Sequence, residues 1–363
     1  MSPATGPTPA AAGPGPGGAR PERLPDPVVP DPRAVPAKRW AILGTGWIAA
    51  RFVEALQAST SQPVVAVGSR SLGRAAEFAA EHGIARAHGS YEELVADGDV
   101  DVVYIATGHL DHLAHATLAI LAGKPVLVEK PMTPHPADTR ALVELARERG
   151  VFAMEAVWTL ALPRYSIVRQ VLASGMLGEV VAVSANLGER LVDHHRAMDP
   201  VQGGGAMNDI GSYTIMFANE VLPGLRVVSA HGQRHPEHGS IGQFAAVLAD
   251  ERGRLATVSA SMLADTPTTA YIAGTAATLS LPAPFYQPGP VVVRFHDGSE
   301  LRAEGAALAH TQLFWEALEV ARCLDAGLTE SPLRPLDQTL ATVALMAEAR
   351  ERMGDPVTRA SAP

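Results

Sequence analysis

Between Trp40 and Trp158 short apolar runs alternate with longer stretches in which apolar residues return every three or four positions. The runs "WAILG", "PVVAVGSR", "VDVVYIAT", "PVLVEK" and "VFAMEAVW" predict strands. The stretches "WIAARFVEALQAS", "SLGRAAEFAAEHG", "HATLAILAGK" and "PADTRALVELARERG" predict helices between them. "SYEELVA" opens with Ser90 and places Glu93 three residues on, the spacing of a helix-starting capping box. Strands separated by helices of this length predict a parallel sheet wrapped on both faces, a doubly wound Rossmann unit over residues 38–158.

After Trp158 the texture changes. One helix, "RYSIVRQVLASG", precedes the strand-like runs "VVAVSANLG", "RVVSAHG", "GQFAAVLAD", "GRLATVSASML", "TLSLP" and "VVVRFHDG". Helices around 307–326 and 335–352 close the chain. Strands grouped in this way predict an α+β unit over 159–354 with a largely antiparallel open sheet, so the whole is α/β followed by α+β.

Composition narrows the class. The chain has 363 residues, 47% hydrophobic, with a net charge of -9, which suits two buried cores and disfavours a nucleic-acid surface. The single Cys323 rules out an internal disulfide framework and a cysteine-cluster metal site. Residues 1–37 are rich in Pro and Gly and poor in large apolar side chains, so they are expected to form a disordered leader, with 355–363 as a flexible tail. The leader lacks the apolar centre of a signal peptide, and no apolar run is long enough to span a bilayer, so a cytoplasmic protein without membrane contact is expected.

The chemistry begins at "GTGWIA", residues 44–49, which matches G-x-G-x-x-A between the first strand and first helix. Gly44 and Gly46 allow a tight turn and close approach to a pyrophosphate, while Trp47 and Ile48 begin the helix whose free N–H groups and dipole favour phosphate. The second strand ends in Ser69 and Arg70, where an NAD site usually has an acid. A guanidinium there pairs with a 2′-phosphate, so NADP is expected over NAD, with NAD still open. Ligands bind such sheets at the carboxyl ends of the strands, where Lys130 lies, and Pro131 biases it towards extended backbone. In "GGGAMNDIGSYTIMF", Asp209 and Tyr213 are four apart on a predicted helix and share a face. They are either an acid/base pair or a helix cap beside a half-buried tyrosine.

Together "ILGTGWIA", "VYIATGHLDH", "VLVEKP", "FAMEAVW" and "GGGAMNDIGSY" resemble the family of glucose-fructose oxidoreductase, inositol dehydrogenase and MocA. The branch most similar holds trans-1,2-dihydrobenzene-1,2-diol dehydrogenase and NADP-dependent D-xylose dehydrogenases. The resemblance implies reversible hydride exchange between nicotinamide and a carbinol carbon of a sugar, polyol or cyclic diol. It makes Lys130, Asp209 and Tyr213 catalytic, adds Trp158 to the substrate site, and adds Thr107, His112, Glu129 and Lys130 to the cofactor site. Tyr213 is then the expected proton acceptor in oxidation, with Lys130 lowering its pKa. A homodimer or homotetramer is also implied.

Two departures stand out. Thr107-Gly108 replaces the family's usual Thr-Pro, which is expected to loosen that loop. Leu160 stands where the branch carries arginine, followed by Leu162, which implies a less polar pocket. Two other readings share the resemblance: an NAD-dependent glycoside hydrolase, and a catalytically silent nucleotide-binding regulator. The histidines of "HLDHLAH" lack an acidic ligand at matching spacing, so no metal is expected.

Overall fold

The computed structural model describes residues 21–305 and 310–355. The first unit runs β1 Trp40–Leu43, α1 Trp47–Ser59, β2 Val64–Gly68, α2 Leu72–His82, β3 Arg86–His88, α3 Tyr91–Ala96, β4 Val102–Ile105, α4 His112–Leu121, β5 Val126–Glu129, α5 Pro136–Arg149 and β6 Ala153–Ala156. These six strands form an all-parallel sheet in the order β3-β2-β1-β4-β5-β6. Strands β1, β4, β5 and β6 are buried at every position, which is why they read as continuous apolar runs rather than alternations. The order reverses between β1 and β4, so their carboxyl ends open a crevice.

The second unit contains α6 Trp158–Ala161, α7 Pro163–Ala173, β7 Val180–Gly188, α8 His195–Met198, α9 Ser212–Val221, β8 Arg226–Arg234, β9 Ile241–Ala249, β10 Leu255–Ser261, β11 Ala270–Gly274, β12 Ala277–Leu281, β13 Val291–Phe295, β14 Glu300–Ala303, α10 Phe314–Asp325 and α11 Leu336–Arg352. Its eight strands lie in the order β14-β13-β12-β11-β7-β10-β9-β8, antiparallel except for the parallel pair β7 and β10. One face packs into the core; Leu255 and Tyr271 are exposed at positions that alternate with buried ones, and Val181 and Val228 are exposed at register shifts in β7 and β8.

Three expectations change. Residues 21–37 are not a disordered stretch: Leu24 and Val35 are buried in the core, and the Ser166 hydroxyl on α7 both accepts from Val28 N (2.9 Å) and donates to Val28 O (3.2 Å). A few apolar residues, widely spaced among prolines, were enough to dock the segment. Residues 1–20 and 356–363 lie outside the described ones, and so does the start of the helix expected from 307; α10 itself begins at Phe314. The last two helices also pack back on the first unit, α10 on α1 and α11 on α5 and β6, rather than belonging to the second unit alone. Periodicity shows that a helix has an apolar face but not which unit covers it.

Arg334, wholly buried before α11, donates from Nε and Nη2 to Glu155 Oε2 at 3.0 and 2.7 Å. The other oxygen of Glu155 accepts from Met132 N at 2.9 Å, and Thr339 Oγ1 donates to Oε2 at 3.2 Å. One buried carboxylate on β6 therefore joins the turn after Lys130 to the end of the chain.

Candidate active site

At the β1 to α1 turn Gly44 has φ of +112°, and a Cβ there would lie 2.7 Å from Ala106 O. Only glycine fits that turn. Gly46 caps α1 without a side-chain hydrogen bond, so the first-turn amides keep their donors for a ligand. A cleft of about 480 Å³ opens there, lined by Gly44, Gly46, Ser69, Arg70 and Thr107 among others. Arg74, Tyr91 and Arg196 also line it and had not been singled out. Arg74 follows Arg70 by four residues across a helix start, a signal that was legible; Tyr91 and Arg196 come from distant segments and carry none.

These features fit a dinucleotide, with the anion-binding helix end at one side of the cleft and two guanidinium groups at the other. Trp47 and Ile48 do not line it, and the Trp47 ring, 59% exposed, meets His310 at 4.9 Å. His112 is not a lining residue either. Fully buried, it places Nδ1 3.0 Å from Pro131 O and Nε2 3.3 Å from Thr107 O, and burial lowers its pKa to about 3. A neutral imidazole carries one N–H, so His112 donates to one of these carbonyls, and the shorter distance is to Pro131 O in the Lys130 turn. The Thr107 hydroxyl lies 2.9 Å from His115 Nδ1, a side-chain hydrogen bond that ties the Thr107 loop to α4.

Lys130 leaves the end of β5 and donates from Nζ to the backbone oxygen of Asp209, with Nζ 5.1 Å from the centre of the Tyr213 ring. Trp158 Nε1 donates to the Tyr213 hydroxyl at 3.2 Å. Lys130, Asp209, Tyr213 and Trp158 thus form one cluster, beside the dinucleotide cleft. Asp209 sits in a single π-turn, Met207–Gly211, that runs into α9, rather than in the regular helix its four-residue spacing to Tyr213 predicts. The wider turn leaves Asp209 Oδ2 buried without a partner. Glu129 is one step behind: its carboxylate accepts from the Tyr104 hydroxyl and from Lys130 N, fixing the backbone from which Lys130 departs.

The electrostatics differ from expectation at Tyr213. Burial, followed by the charge of Glu129, pushes its phenol well above the ordinary value, only partly offset by the bond from Trp158. Lys130 lies over the ring face rather than at the hydroxyl, so it does not lower the pKa in the way the residue types suggested. Burial raises Asp209 to about 6, against the pull of Lys130. Among the described residues no group of three or more His, Cys, Asp or Glu could hold a metal ion.

Two further aromatic residues complete the wall. Tyr286 packs on Tyr213 at 4.8 Å, and His310 stacks on Trp158 at 5.7 Å and 18°. Tyr286 comes from a loop and His310 from the 3₁₀ turn His310–Gln312, both far along the chain. Leu160 and Leu162 do not belong to this pocket. Leu162 is buried in the core, and Leu160 lines a separate cavity of about 150 Å³ with Tyr165, Arg169, Phe217 and Glu220. The missing arginine at 160 therefore does not change the polarity of the catalytic cluster.

A parallel dinucleotide crevice joined to an open-faced sheet, with a lysine, a tyrosine and a carboxyl group between them, defines a two-domain nicotinamide-type oxidoreductase. Residues 38–157 match the profile described as "Oxidoreductase family, NAD-binding Rossmann fold", and 165–280 match the "GFO/IDH/MocA C-terminal domain". The chain belongs to the Gfo/Idh/MocA oxidoreductase family. It is 38% identical to trans-1,2-dihydrobenzene-1,2-diol dehydrogenase of Bos taurus over 327 residues, 88% of this chain and 97% of that protein. The human protein of the same name is 36% identical over 332 residues, with the same coverage of each chain. Among solved structures, a 3-ketoreductase from Actinomadura kijaniata, KijD10, in complex with NADP and TDP-benzene superposes with a TM-score of 0.78 at 26% identity, covering 88% of this chain and 98% of that one.

Asp209 carries a stability cost that can be measured. An acid whose folded pKa rises from 3.8 to about 6 binds more protons folded than unfolded in that window, so stability falls as pH climbs through it and stays lower above. Asp209→Asn cannot ionise and is expected to gain about 1–3 kcal/mol at pH 7 while losing turnover. Urea unfolding at pH 4 and pH 7 checks this. The gain should vanish at the lower pH, and an equal gain at both would show that the charge is not its source.

Proposed function

We propose that this chain is an NADP-preferring dehydrogenase or reductase acting on a carbinol carbon of a ring-bearing substrate, a cyclic trans-diol ahead of a sugar or polyol. The observation that carries the reading is one cluster at the end of β5: Lys130 Nζ bonded to Asp209 O and over the Tyr213 ring, the Tyr213 hydroxyl bonded by Trp158 Nε1, the orphan Asp209 Oδ2, and the rings of Tyr286 and His310 packed on Tyr213 and Trp158. Flat aromatic surfaces receive a ring face at little ordering cost, and the few polar groups fix its orientation. The diol dehydrogenases at up to 38% identity support the same substrate class.

Bound nicotinamide supplies the hydride chemistry; the protein residues position the carbon and manage one proton. One Lys130 N–H is spent on Asp209 O, leaving two to hold the substrate oxygen. Because Trp158 donates to the phenol oxygen, the Tyr213 O–H remains free to donate in turn. Its raised pKa keeps that proton in place across neutral pH, which suits delivery to a developing alkoxide when a carbonyl is reduced. The orphan Asp209 oxygen accepts a second substrate hydroxyl, as a vicinal diol would provide.

Arg70 and Arg74 reach the cleft together and favour a cofactor carrying a 2′-phosphate. Replacing both with alanine is expected to raise the KM for NADP by about tenfold or more, since charged hydrogen bonds contribute roughly 1.5–3 kcal/mol, while the KM for NAD hardly moves. Reduced-nicotinamide absorbance with NADP or NAD and a panel of cyclic trans-diols, aldoses and inositols tests both parts. Equal losses with the two cofactors would refute the phosphate assignment, and silence across the panel despite NADP binding would refute the activity. We also propose a homodimer or homotetramer through the eight-stranded sheet, on which Val181, Val228, Leu255 and Tyr271 are exposed. Among the described residues no helix is long and apolar enough to cross a membrane.

A further inference from the structure

Arg164, in the first turn of α7, is 3% exposed, and no carboxylate faces it among the described residues. Burial pushes its pKa down to about 10, so holding this cation out of water is costly. Its two terminal nitrogens donate to one loop, while Nε is buried without a partner. Nη1 donates to the carbonyls of Pro284, Phe285 and Gln287 at 2.9, 3.3 and 3.0 Å, and Nη2 to that of Pro282 at 2.7 Å. Thr159, the second residue of α6, donates to a fifth carbonyl of this stretch, that of Tyr286, at 2.8 Å. The loop closes tightly over the cation: a Cβ at Gly289 would sit 3.0 Å from Nη1.

A run of carbonyls turned inward leaves side chains to point the other way. Phe285 goes into the core against Phe217, at 5.6 Å, and Tyr286 faces Tyr213 at 4.8 Å and Trp158 at 6.4 Å. No neutral side chain offers a planar fork of five donors, so no neutral substitute satisfies four carbonyls at once. The cost of burying a lone cation is thus tied to the shape of a loop whose one exit into the catalytic cluster is the Tyr286 ring.

We propose that Arg164 is a positioning residue for the redox reaction: it holds loop 282–289 in the shape that stands Tyr286 against Tyr213 and Trp158, and so sets the affinity for a ring-bearing substrate without touching it. The proposal rests on the reading of Trp158, Tyr286 and His310 as the substrate's wall. Arg164 lies outside the dinucleotide cleft and does not contact Lys130, so its effect should fall on one kinetic constant.

The test is steady-state kinetics of the full chain with NADP and a cyclic trans-diol, comparing Arg164→Gln, Arg164→Lys, Tyr286→Ala and Arg164→Gln combined with Tyr286→Ala. Arg164→Gln is expected to raise the diol KM about tenfold while kcat and the KM for NADP stay within about twofold. Arg164→Lys, which keeps the charge but not the fork, should fall between. Once Tyr286 is alanine the added effect of Arg164→Gln should shrink below about twofold, because the positioned ring is gone. A purely structural arginine would give the same factor in both backgrounds, or would lower kcat and cofactor affinity together, and either result overturns the proposal. If Arg164→Gln does not fold, Thr159→Val removes only the bond to Tyr286 O. It should raise the diol KM in the wild-type background alone, and no rise there overturns the proposal equally. Turnover with an unmoved KM refutes this inference and leaves the proposed activity standing, whereas a wild-type chain silent with every diol and sugar refutes both.

Discussion

Lys130→Met is expected to lower kcat about a thousandfold while NADP still binds. Lys130 is the cation of the catalytic cluster, leaving the end of β5 with Nζ on Asp209 O and over the Tyr213 ring. Methionine has a similar reach and keeps the packing of the stem, but offers no donor to an oxygen on which charge develops. Losses of about 10²–10⁴ are usual when such a group is removed. Arginine should not rescue the rate, because its planar fork cannot occupy the place of a compact ammonium between a carbonyl and a ring face. Steady-state rates at saturating NADP, with cofactor affinity measured from the quenching of tryptophan emission, check the prediction. A kcat within a few-fold of wild type would remove Lys130 from the chemistry.

The second large effect concerns stability. Arg334→Met should cost about 3–5 kcal/mol, since it leaves Glu155 charged and buried beneath β6 with half of its hydrogen bonds gone. Replacing both members, with Glu155→Met added, should recover much of that loss, because the desolvated carboxylate disappears with its partner. The recovery will not be complete, as Glu155 also accepts from Met132 N just past Lys130. Urea midpoints of the two single variants and the double variant supply the measurement. A single-variant shift below about 1 kcal/mol would mean that water reaches the pair in solution.

Much of the architecture was legible because it is written in local periods. The alternation of apolar runs and helical stretches marks a parallel sheet, and G-T-G-W-I-A marks where its first helix meets a phosphate. The lysine before Pro131 was legible for a related reason: a charged residue at the end of a buried strand has no packing role. What escaped depends on contacts between distant segments. Tyr286 and His310 reach the catalytic wall from a loop and a 3₁₀ turn, and Arg334 reads as one more surface arginine until the fold places it under β6. The two short strands β3 and β14 have only partly buried or exposed positions, so they leave little hydrophobic trace. Tyr213 shows a further limit. Its place beside a lysine was predictable, but the sign of its pKa shift follows from Glu129 and from burial, which no spacing reports.

Residues 21–37 alter how the protein should be handled. A chain cut to begin at Arg39, where the family resemblance starts, would lose packed residues of this segment. Leu24 and Val35 would leave the core, and Ser166 would lose both of its bonds to Val28. Ser166 stands two residues from Arg164, on the helix that grips the Tyr286 loop. A shortened expression version is therefore also a core deletion beside the reaction site, and rates measured on it would describe a different protein from the one the full sequence encodes.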